Sequence, residues 1–128
     1  SISDGDERRM IDSTMTKLRS LVEETGVHLI LVSHLRRPDG RPHEEGGHTS
    51  LAQLRGSHAI AQLSDSVIGC ERDQQDEVNG NVLQLRVLKN RYCGFTGLAC
   101  SLGYSIDTGR LQQWESPDVA EVPTGGGL

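Results

Sequence analysis

The chain has 128 residues, 34% apolar, 3% aromatic and 24% charged, with a formal net charge of −5. That length suits one domain and excludes two well-packed ones, and the low apolar share points to a chain that is part of something larger. No apolar run approaches the roughly 20 residues of a membrane span, and the acidic balance excludes global attraction to nucleic acid, so any such contact must come from a local loop. The N-terminal SISDGDERRM is polar and acidic, unlike a secretory signal; Ser1 in place of an initiator Met predicts a fragment or a processed chain. Cys70, Cys93 and Cys100 cannot all pair and form no CxxC, which predicts reduced, buried thiols in a cytosolic protein.

Along the chain, Met10, Ile11, Met15, Leu18, Leu21 and Val22 recur at helical spacing. They predict a helix over 6–25, with Asp4 and Asp6 favouring its start and Gly26 ending it. VHLILVS, 27–33, is a continuous apolar run and reads as a central parallel strand buried on both faces. LRRPDGRPHEEGGHT, 35–49, is a loop by its prolines and glycines. Its length marks it as either functional or disordered. A second helix is expected over 50–63, capped by Ser50, with Leu51, Leu54, Ala61 and Leu63 facing inward. Strands are then predicted at 66–72, 82–89, 98–105 and 110–114, with Asn79-Gly80 in the first hairpin turn. From Glu115 onward Pro and Gly predict a disordered tail, 115–128. The order implies the back half of an α/β sheet whose later strands turn antiparallel.

Several familiar chemistries are missing from the sequence: there is no GxxxxGK[ST], GxGxxG, GxSxG or HExxH. His43 and His48, with Glu44 and Glu45 between them, read as solvated loop residues rather than a metal site. His34 stands where the chain leaves the apolar run for the loop. That is the carboxyl end of a strand, where open α/β sheets bind ligands; the other reading is a histidine satisfying a backbone group. Arg36, Arg37 and Arg41 suit phosphate contacts, although Asp39, Glu44 and Glu45 balance them and leave a formally neutral loop. Lys89 and Arg91 end a strand. They read either as a charged strand terminus or as an arginine finger, a guanidinium set against a γ-phosphate.

The ordered pieces DERRMIDSTMTKLR, VHLILVSH, HLRRPDGRPHEEGGHTSLAQLRGSHAIAQLSD, LRGSHAIAQLSDSVIGCERDQQ and LRVLKNRYCGFTG together resemble the hexameric replicative helicases. Within that class they resemble the primase–helicases of short-tailed phages, relatives of the bacterial DnaB helicases, over about residues 4–114. The resemblance implies a RecA-like P-loop NTPase fold, with this chain as its C-terminal part (1–114) followed by the tail. It implies subunits in a ring around single-stranded DNA, 5′ to 3′ unwinding, and ATP or dTTP with Mg²⁺ held between neighbours. By motif, His34 resembles the sensor joining the γ-phosphate to the DNA loop, and Leu35 to about Gly47 resembles that loop. Arg36, Arg37, Arg41 and Gln62 then face DNA. Arg91 resembles the finger completing the neighbour's nucleotide site, with Lys89 pointing there and Arg72 a weaker candidate on the same basis. The phosphate-binding loop and the Mg²⁺-holding strand are expected upstream of Ser1, so the chain by itself is expected not to hydrolyse ATP. No membrane partner is implied, and the setting is the cytoplasm of an infected bacterium. Two alternatives stay open: a non-catalytic module that binds a helicase ring or single-stranded DNA, and a RecA-like half from recombination.

Overall fold

A computed structural model describes residues 3–38, 40–54 and 58–115. The predicted tail, save Glu115, lies outside the described residues, as do Asp39 and most of the LRGS segment. Helix α1 spans Asp4–Thr25. Its first turn is closed by Ser3, whose hydroxyl accepts the Asp6 N–H at 3.2 Å. Its last turn is closed by Gly26 at φ 71°, whose N–H donates to the Val22 carbonyl at 2.8 Å. A left-handed residue is needed there, and glycine supplies it without a Cβ clash. Met15 lies buried on the inner stripe of α1, while Met10 and Leu21 remain exposed. The stripe packs on α2, the short helix Ala59–Leu63.

Two sequence expectations are corrected between these helices. The segment 27–33 is not a strand: it has no regular structure, and Ile30 and Val32 are 81% and 87% exposed. A central parallel strand takes every ladder hydrogen bond from its neighbours, and no strand among the described residues lies beside this segment. Apolar composition without a partner leaves it irregular and exposed. The helix predicted over 50–63 is likewise interrupted. A 3-10 turn, Leu51–Gln53, stops at Leu54, which turns to extended backbone at φ −63°, ψ 125°. Leu54 forms an antiparallel bridge with Leu35, and the Arg36 N–H donates to the Gln53 carbonyl at 2.7 Å. Long-range pairing thus takes the backbone groups a continuous helix would have used.

The remainder follows the predicted strands closely. β1 (Ser66–Arg72), β2 (Val82–Asn90), β3 (Gly97–Tyr104) and β4 (Leu111–Gln113) form one antiparallel meander in the order 1-2-3-4. The architecture of the described residues is therefore mixed α/β with an antiparallel sheet. The first connection, 73–81, is longer than a two-residue turn. It is closed by the Asp76 carboxylate, which accepts the N–H groups of Val78 and Asn79 at 2.9 Å each.

Register divides the sheet into two unlike faces. Ile68 and Cys70 pair with Val87 and Leu85, and Leu85 and Leu83 pair with Cys100 and Leu102, which makes one face apolar. That face is uncovered: Ile68 is 58% exposed, and Cys70 and Cys100 are exposed with free thiols, as is Cys93. The expectation of buried cysteines is thus corrected. Gly69 and Glu71 pair with Arg86 and Gln84 on the opposite face, which the loop covers. Met15 and Leu54 are the buried apolar side chains of the described residues.

Candidate functional site

The hairpin register places the end of β2 beside the start of β1, because Ser66 pairs with Asn90. Helix α2 ends just before β1, so its last carbonyls meet the cations that close β2. Lys89 Nζ donates to the carbonyls of Ala61 at 2.6 Å and Gln62 at 3.2 Å. A cation on the exposed carbonyls of a helix end is favourable by charge and by hydrogen bonding. The Arg91 N–H donates to the Asp65 carbonyl at 2.9 Å. Its guanidinium pairs with Asp65 Oδ1 at 2.8 Å and donates to the Gln62 carbonyl at 3.5 Å. The other Asp65 oxygen accepts from Arg19 Nη1 of α1 at 3.0 Å. Arg19 also pairs with Glu23 at 3.1 Å, one turn further along the helix. The Arg19 hydrogen bond holds the Asp65 carboxyl below its usual range; partial burial opposes it, and the charges of both arginines reinforce it.

Lys89, Arg91 and Gln62 are thus brought together, but Gln62 contributes its backbone carbonyl while its side chain is exposed. Arg72 does not join them. It pairs with Leu83 at the opposite end of the hairpin, and its guanidinium donates to the Gly80 carbonyl at 2.5 Å and Asn81 Oδ1 at 3.0 Å. It shares a cleft of about 300 Å³ with Arg41, Glu71, Asp73, Asp76 and Trp114. Arg19 and Asp65 were not singled out by sequence. They lie 46 positions apart, and no local spacing connects a surface helix arginine to a strand-entry aspartate.

The loop is tied down along its second half. The Gly47 and Glu45 N–H groups donate to the Pro42 carbonyl at 2.9 and 3.0 Å, and the Gln74 N–H donates to the Glu44 carbonyl at 2.8 Å. His43 Nε2 and the Ser50 N–H meet Gln53 Oε1 at 2.8 and 3.0 Å. Thr49, 4% exposed, donates both its N–H and its hydroxyl to Glu71 Oε2 at 2.7 Å. Arg86 completes the set, with Nε to Oε2 at 2.8 Å and Nη2 to Oε1 at 3.2 Å. Burial alone would raise the Glu71 carboxyl; the bonds from Arg86 and Thr49 outweigh it and leave the group below its ordinary range. Glu71, 3% exposed, is a third residue that sequence reasoning missed. An ER pair in a strand does not reveal which member points inward.

The start of the loop is held at its base, through Leu35 and Arg36. Arg36 donates to the Ala52 carbonyl at 3.2 Å, while Arg37 and Arg41 are exposed. His34 is exposed just before the Leu35 bridge, at the base of the loop. No group of three or more His, Cys, Asp or Glu side chains suited to a metal ion occurs among the described residues. No helix is long and apolar enough to cross a membrane among them. What the arrangement offers chemically is two sets of cations: Lys89 and Arg91 at a strand end, and three arginines on a tethered loop.

Sequence comparison defines the class: the chain belongs with the helicase/primases of short-tailed phages. It is 46% identical over 110 residues, 85% of its length, to the DNA helicase/primase of Enterobacteria phage T3. The match covers 19% of the phage T3 protein, so the chain spans about a fifth of that relative. No family model matches the sequence.

Proposed function

We propose that this chain is part of an ATP-dependent replicative DNA helicase, a RecA-like motor that unwinds duplex DNA 5′ to 3′ as a ring in the host cytoplasm. The observation that carries the reading is the 46% identity over 110 residues to a DNA helicase/primase. The placement of cations supports it. Arg91 stands at the end of β2 and remains 44% exposed, within reach of a neighbouring subunit. A guanidinium there offers two parallel N–H donors to the phosphate oxygens on which charge develops during transfer. Lys89 helps to hold the strand end against α2 and so fixes where Arg91 begins.

His34, at the loop's base, would relay the state of the phosphate to the loop. Arg36, Arg37 and Arg41 would hold the backbone of single-stranded DNA without reading bases, and the exposed Gln62 side chain would face the same channel. Arg72 has local partners in its own turn, at the end of the hairpin opposite Arg91. Ammonium and guanidinium groups suit the phosphates of ATP or dTTP and repel Mg²⁺, so the metal would be held by other residues.

The test is nucleotide hydrolysis by the full-length protein with and without single-stranded DNA. Arg91→Ala is expected to lower DNA-stimulated turnover about a thousandfold, to a residual rate that can still be measured, while sparing nucleotide binding. Near-normal turnover by that variant would remove Arg91 from the site, and no hydrolysis by the wild type would remove the motor reading.

A further inference from the structure

The ion pairs around Asp65 are divided unequally, and the division has a direction. One carboxylate oxygen is held by Arg19 on α1, a side chain only 26% exposed and itself anchored to Glu23. The other is held by Arg91, which is 44% exposed. The second contact of the Arg91 guanidinium, with the Gln62 carbonyl, is long at 3.5 Å. Arg91 is therefore the exchangeable partner and Arg19 the resident one. When Arg91 leaves, Asp65 keeps a charge-assisted hydrogen bond and is not stranded as an unpaired carboxylate. The backbone bond from the Arg91 N–H to the Asp65 carbonyl does not depend on the side chain, so the main chain stays in place while the guanidinium swings.

We infer that Asp65 is the positioning residue for Arg91: it aims the guanidinium at the edge of the sheet and releases it to an oxyanion presented by a neighbouring subunit, with Arg19 as the counter-ion that makes release inexpensive. The inference rests on the reading of Arg91 as the arginine that acts in trans. It assigns two residues, Asp65 and Arg19, to one device, and it links α1 to the nucleotide step. A competing phosphate oxygen carries the same charge as the Asp65 carboxylate, so the exchange swaps one anionic partner for another of like geometry.

The test is a set of full-length variants: Asp65→Asn, Arg91→Ala and the double substitution, each assayed for DNA-stimulated hydrolysis, nucleotide binding and thermal melting. Asp65→Asn is expected to lower kcat about tenfold, leaving nucleotide KM and binding within about twofold of wild type. It should have no further effect in the Arg91→Ala background. Asp65→Glu, which keeps the charge, should restore part of kcat. A structural role alone would instead lower the melting temperature without that non-additivity. If Arg91→Ala loses hydrolysis while Asp65→Asn retains it, or if the two losses simply multiply, the positioning role is overturned and the reading of Arg91 stands. If Arg91→Ala itself hydrolyses normally, both fall together.

Discussion

Replacing Glu71 by alanine tests whether the loop is held to the sheet by a single buried carboxylate. The substitution removes four hydrogen bonds: two from Thr49 at 2.7 Å and two from Arg86 at 2.8 and 3.2 Å. It leaves the Arg86 guanidinium, only 20% exposed, and the buried Thr49 N–H without their partner. Removing one member of a buried ion pair costs about 3–5 kcal/mol. The fifth of Arg86 that still meets water argues for the lower end, about 3 kcal/mol. For a chain of this size that corresponds to a fall in Tm of about 10 °C. Glu71→Gln, which keeps an acceptor for Thr49 but loses the charge facing Arg86, is expected to fall by about half as much. The double substitution Glu71→Leu with Arg86→Met should be milder than Glu71→Ala, because neither partner is then left charged and alone. Melting followed by circular dichroism gives the stability. Hydrogen exchange at the Thr49 amide reports whether the loop has let go. A Glu71→Ala variant that melts within about 2 °C of wild type, with its Thr49 amide still protected, would refute the reasoning.

Gly69 tests the same contact from the other side. A Cβ at this position would collide with the Thr49 side chain, lying 2.7 Å from its Cβ. Gly69→Ala is therefore expected to expel Thr49 and to destabilise by about 1–3 kcal/mol, measured by the same melts; wild-type protection at Thr49 would contradict it. Replacing Arg36, Arg37 and Arg41 together by alanine should weaken single-strand binding and flatten its salt slope by up to about 2 units, at about 0.7 per phosphate contact. An unchanged slope in a filter-binding titration would mean that the loop does not touch the backbone. Asp65 and Glu71 are both held below their ordinary carboxyl values. A depressed carboxyl contributes stability that is present above its unfolded value and lost as pH falls through its folded one. Melts should therefore weaken on acidification below about pH 4. The double variant Asp65→Asn, Glu71→Gln should show a flatter acid limb, and an acid limb identical to wild type would deny these carboxylates that role.

The elements that were legible in the sequence are those whose cause is local. Gly26 and the apolar stripe of α1 specify a helix and its C-terminal end within one segment of chain, while its start, read at residue 6, lies at Asp4, where Ser3 closes the first turn. The four strands follow from alternation and from turn residues beside them. The ordered motifs also carried the kinship with phage helicase/primases and named Lys89 and Arg91, which do meet at one strand end. Where the sequence misled, the deciding partner was distant or absent. Residues 27–33 have strand composition, but pairing is a property of two segments, and no described strand lies beside them. The helix over 50–63 lost its continuity to a bridge between Leu35 and Leu54, nineteen positions apart. Asp65 and Glu71 were unreadable for the same reason. Their identity as polar residues was plain, but their partners, Arg19 and Thr49, lie 46 and 22 positions away. Periodicity, caps and turns act over a few residues and are written in the chain. Which carboxylate is buried, and which arginine it holds, is settled only when the register of β1 and β2 brings the loop, the helix and the strand ends together.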